Sequence, residues 1–124
     1  MRPEMAADLR RFILTSIPSV PYLEAVLLLR AEPAREWSAA DVARRLYLPE
    51  TRAAELLQQL ASAGVASGAV DAYRYQPAAA ELRDMLDRLA AQYAADLVGV
   101  SDLIHSGDKK ARQFADAFRW RKDT

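Results

Sequence analysis

Four arginines and three neutral hydrogen-bonding side chains are the residues best suited to chemistry with a partner: Arg44, Arg45, Arg52 and Arg74, with Thr51, Gln58 and Gln59. Arginine grips phosphate and the acceptor edge of guanine with a two-pronged donor, and Gln and Thr reach other base edges. Enzymatic sets are missing from the sequence. There is no cysteine, which removes disulfides and thiolate metal sites. The single histidine, His105, is too little for a transition-metal site, and its place near a helix end suits it to carbonyl capping. No glycine-rich phosphate loop or nucleophile motif occurs, and the carboxylates are scattered without a neighbouring base. The expectation is a non-enzymatic protein with no cofactor and no metal.

Charge limits the partner. The 124 residues carry 17 Lys/Arg and 17 Asp/Glu. Residues 31–76, which hold all seven side chains named above, carry five basic against six acidic groups. The basic excess sits in 107–124, with six against three. Nucleic-acid binders usually present a basic face, so a neutral total weighs against a large phosphate footprint. The apolar run Ala25–Leu29 stops at Arg30, far short of a membrane span, and the N-terminus lacks the apolar centre of a signal peptide. A soluble, cytoplasmic protein is expected.

The elements that must position these side chains follow from apolar spacing. Met5, Leu9, Phe12 and Ile13 predict a helix over 4–16. Pro21, with Ser19 as N-cap, opens a second helix to about Ala31 that is apolar around much of its circumference and therefore central. Trp37 reads as a very short strand. Ser38 followed by Asp41 is a variant capping box for a third helix over 39–46, with Arg44 and Arg45 outward. Tyr47 and Leu48 make the turn, and Pro49 opens a fourth helix over 49–62. Its apolar face is Ala53, Leu56, Leu57 and Leu60, and Gly64 stops it. Val65–Ser67 and Ala72–Tyr75 predict a hairpin turning at Gly68, with Tyr73 and Tyr75 on one face and Arg74 on the other.

This order, two helices around a tight turn followed by a short hairpin, resembles a winged helix-turn-helix. DVARRLYLPETRAAELLQQLASAGV is similar to the corresponding segment of MarR-type and PadR-type transcriptional regulators, and the resemblance covers about residues 20–76. Tyr47 stands where those families often have Gly. The resemblance implies a mainly α fold with helix-turn-helix 38–63 and wing 65–76. It also implies a DNA-binding regulator whose helix 49–62 enters the major groove through Thr51, Arg52, Gln58 and Gln59. Arg44, Arg45 and Arg74 would lie on phosphates. Glu50 and Glu55 share that helix's outward face and repel phosphate, so a protein-binding adaptor is the alternative reading.

The domain division expected is 1–76 and 77–124. In the second part Leu82, Leu86, Leu89, Tyr93, Leu97, Val100 and Ile104 recur over 22 residues in six steps, close to an eleven-residue repeat. They predict one helix from Pro77 to about His105 that pairs with its copy in a homodimer, its acidic outer face (Asp84, Asp87, Asp96, Asp102) solvated. A last basic helix, about 108–121, carries Phe114 and Phe118, which are expected to dock within the dimer.

Overall fold

The protein is mainly helical with one two-stranded antiparallel hairpin. The structure, a computed structural model, describes residues 4–69 and 71–107. The helices are α1 (Ala7–Ser16), α2 (Val20–Ala31), α3 (Ala39–Leu46), α4 (Glu50–Ser62), α5 (Ala80–Ala95) and α6 (97–107 within the described residues). The strands are β1 (Ala66–Ala69) and β2 (Ala72–Tyr75). No described helix is by itself long and apolar enough to cross a membrane. The described residues divide into two compact units: Pro21–Asp87, and residues 4–20 together with 88–107.

In the unit Pro21–Asp87, α2 buries Tyr22, Leu23, Ala25, Val26 and Leu29, as its apolar circumference requires. It starts at Val20, one residue before the expected Pro21; a proline in the first turn costs nothing because that N–H has no helical partner. From α4 the buried residues are Ala53, Leu56, Leu57 and Leu60. Each fully buried leucine contributes about 1.5–3 kcal/mol relative to exposure. Gly64 ends α4 at φ 78°, and the Val65 N–H reaches back to the Leu60 carbonyl at 2.9 Å. That left-handed stop turns the chain directly into the hairpin.

The hairpin departs from expectation in one respect. Its register pairs Ala66 with Tyr75, Ser67 with Arg74, Gly68 with Tyr73 and Ala69 with Ala72, so the chain reverses between Ala69 and Ala72 and Gly68 lies inside β1. Gly68 is required there for a different reason: at φ 125° a Cβ would strike the Ala72 carbonyl oxygen. Asp71 takes the positive φ, 67°, that a two-residue hairpin loop demands. Trp37 pairs with the other edge of Tyr73 as an isolated antiparallel bridge, confirming its reading as a minimal strand.

The other unit buries Leu9, Ile13 and Ile17 from its N-terminal part, and Leu89, Val100, Leu103 and Ile104 from the later part. α1 begins at Ala7, not at residue 4. The expected single helix over 77–105 is two helices. Asp96 breaks it: its N–H still bonds to Gln92 O at 2.8 Å, while its carboxylate accepts from Gly99 N–H at 3.1 Å and its carbonyl from Val100 N–H at 3.1 Å. One residue thus closes α5 and caps α6. The helix expected over 108–121, with Phe114 and Phe118, lies outside the described residues.

Asp8 on α1 takes both arms of the Arg88 guanidinium, at 2.8 and 2.7 Å. That hydrogen bonding, assisted by the Leu9 N–H, holds the Asp8 carboxyl down at about 2. A carboxyl lowered on folding stabilises above its unfolded value of 3.8 and loses that contribution as pH falls through about 2. In an NMR pH titration Asp8 is therefore expected to remain ionised at pH 3. Asp8→Asn is expected to lower stability at neutral pH and to flatten its acid dependence between pH 4 and 2; parallel stability curves for the two proteins would refute this.

Candidate nucleic-acid interface

The α3–turn–α4 segment is built by local chemistry. Ser38 Oγ accepts the Asp41 N–H at 3.1 Å, and Ser38 is extended (φ −95°, ψ 164°), which starts α3 where the capping pattern places it. Hydrogen bonding to Ser38, its side chain first and then its N–H, and next the charges of Arg44 and Arg35, hold the Asp41 carboxyl below its ordinary value. α3 ends at Tyr47, which is left-handed (φ 57°, ψ 48°). The Leu48 N–H bonds back to Ala43 O at 3.0 Å, the hydrogen bond of a glycine-type helix stop made here by tyrosine. Pro49 then leads into α4.

The structure places Thr51, Gln58 and Gln59 on the exposed side of α4, together with Glu50, Ala54, Glu55 and Ser62, and leaves Arg52 half-buried. Arg44 and Arg45 are exposed on α3 and Arg74 on β2. Tyr73 and Tyr75 are half-buried, so their rings are largely committed to packing.

Sequence reasoning missed what the arginines hold. Arg52 bonds Glu55 one turn on at 3.2 Å, and Arg74 bonds Glu36 at 2.9 Å. Arg44 bonds Asp41. Arg45 lies 3.9 Å from Glu32 and 5.6 Å over the Trp37 ring. Arg35, not singled out from the sequence, stacks on Trp37 at 3.9 Å and shares both Glu32 (3.4 Å) and Asp41 (3.9 Å). The i,i+3 spacing of Arg52–Glu55 and Asp41–Arg44 was available as a signal; the Glu36–Arg74 pair, 38 residues apart, was not.

Charge in this segment is therefore divided. Three arginines share two carboxylates around Trp37, a local excess of one positive charge on the side of α3. Glu50 and Asp71 make no ion pair among the described residues. Between the start of α3, α4 and β2 lies a recess of about 170 Å³ lined by Ala39, Ala54, Glu55, Leu57, Gln58, Asp71 and Tyr73. Glu55 there is paired with Arg52, and Asp71 is the carboxylate left to favour a cation over a phosphate.

The expected dimer stripe divides as well. Leu86, Leu89, Val100 and Ile104 are buried within the chain, and Leu82 and Tyr93 are half-buried. Leu97, at 55% exposure, is the stripe residue left in solvent, beside Val98 at 53%. No group of three or more metal-ligating side chains occurs among the described residues.

Because Ser38 both caps α3 and tunes Asp41, Ser38→Ala is expected to cost about 1 kcal/mol, read as a lower Tm, and to return the Asp41 carboxyl toward its ordinary value. An unchanged Tm would show that the cap does not support α3. No protein-family model, curated protein or solved structure matches this chain.

Proposed function

We propose that the chain is a winged-helix DNA-binding regulator that reads duplex DNA with the outward face of α4. The observation that supports this is the character of that face. It offers Thr51, Gln58, Gln59 and Ser62, neutral groups able to donate and accept, with Arg52 beside them, and no large apolar side chain of α4 is exposed among the described residues. Protein-docking faces are anchored by buried aromatic and aliphatic groups, whereas base edges are read by such polar ones. The minimal strand at Trp37, the α3–α4 pair and the hairpin follow the element order of that fold.

Binding on this reading is modest and weakly salt-dependent. Each arginine must leave a carboxylate before meeting a phosphate. Exposed ion pairs are individually worth roughly 0–1 kcal/mol, so the exchange is open but not strongly driven. A second reading, an adaptor that binds protein, is favoured by the recess at Asp71, whose carboxylate makes no ion pair among the described residues and suits a partner's Arg or Lys.

Selection from random duplexes at low salt separates the two. A DNA reader enriches a defined site, and Arg52→Ala then weakens binding to it by about 1–3 kcal/mol while relaxing preference at one base pair. If nothing is enriched, the adaptor reading replaces this one. Two-fold pairing is proposed through the exposed Leu97–Val98 patch. Light scattering at micromolar concentration is expected to find a dimer that Leu97→Asp converts to monomer; a monomeric wild type removes the two-half-site geometry.

A further inference from the structure

We propose that Tyr47 is a phosphate-contact residue, its phenol donating a hydrogen bond to the duplex backbone at the edge of the groove that α4 enters. This rests on the DNA reading above and narrows it to one side chain.

The conformation at Tyr47 is one that side chains avoid. At φ 57° and ψ 48° the backbone is left-handed, a region that glycine adopts freely and that costs other L-residues energy through Cβ contacts. The turn itself is made by main-chain groups: the N–H of Tyr47 and that of Leu48 both reach Ala43 O. Glycine would make the same bonds. Nor does the ring repay the cost by burial, since Tyr47 is 94% exposed, the most exposed large apolar side chain among the described residues. Neither local conformation nor packing accounts for an aromatic here. A contact outside the chain does.

Position and charge specify that contact. A helix that leads into the major groove with its N-terminal end puts the turn immediately before it near the flanking sugar–phosphate strand. Tyr47 lies three residues before Glu50, the first residue of α4. Three residues before Tyr47 is Arg44, whose side chain is 74% exposed, in the one cluster of the segment where arginines outnumber carboxylates. A neutral phenol is a hydrogen-bonding partner for a phosphate oxygen, and tyrosine is among the side chains that fix proteins on the backbone.

The test compares Tyr47→Gly and Tyr47→Phe with the wild-type protein, using the duplex that the wild type selects. Binding is followed by fluorescence anisotropy at three salt concentrations, and Tm is measured for each protein. Tyr47→Gly is expected to hold or raise Tm, because it relieves the left-handed position, yet to weaken binding about tenfold. Tyr47→Phe is expected to weaken binding similarly at unchanged Tm. Both should keep the wild-type salt slope, since no charge is lost, whereas Arg44→Ala should reduce that slope by about one. Wild-type affinity in both variants overturns the proposal and leaves the DNA reading standing. Loss in the glycine variant alone also overturns it, because the hydroxyl is then not the donor. A wild type that selects no duplex removes the reading and the proposal together.

Discussion

Burial of Trp37 is the constraint on which the unit Pro21–Asp87 depends. Its backbone exchanges two hydrogen bonds with Tyr73, N to O at 2.7 Å and O to N at 3.0 Å, and its indole is fully buried. Two hydrogen bonds without a ladder hold a segment weakly; a side chain of this size removes about 150–250 Å² from water and anchors it. From that anchor the rest is set within a few residues. The next residue, Ser38, caps α3, and α3 returns Arg45 over the indole that precedes it. Meanwhile Tyr73, gripped by Trp37 on one edge and paired with Gly68 on the other, fixes the hairpin against the start of α3.

The same cluster governs the electrostatics of the candidate surface. Arg35 and Arg45 are drawn toward the Trp37 ring and toward Glu32, so their charge serves the fold before it serves a partner. Arg52 and Arg74 are held by Glu55 and Glu36. A face built this way has little long-range attraction for a polyanion. It discriminates at contact, through the fixed places of Thr51, Gln58 and Gln59, more than it accelerates encounter.

Features decided by a few adjacent residues were legible in the sequence: the Ser38 cap, the Gly64 stop, the inward leucines of α4, the strand at Trp37. Each is local chemistry with one solution. The misreadings share the opposite property. Asp96 looks like the other surface acids of its helix, and only the fold shows its carboxylate turned onto Gly99 N–H to end one helix and begin another. Gly68 serves a turn or a close strand crossing equally well, and the alanine-rich strands offer too little apolar alternation to fix the register. Apart from the half-buried Arg52, the candidate side chains were found on the surface as read, but what they face was not readable where the partner lies far along the chain, as with Glu36 and Arg74.

The paired Asp8 and Arg88 lie 80 residues apart, and the whole of the other unit lies between them. That arrangement orders events as the chain leaves the ribosome. Helix α1 emerges before its charged partner, which is made only after the whole of the inserted unit. The inserted unit is continuous in sequence and can close on local contacts such as α3 on α4. The split unit is thus completed last, and α1 spends the synthesis of the inserted unit waiting for residues not yet translated.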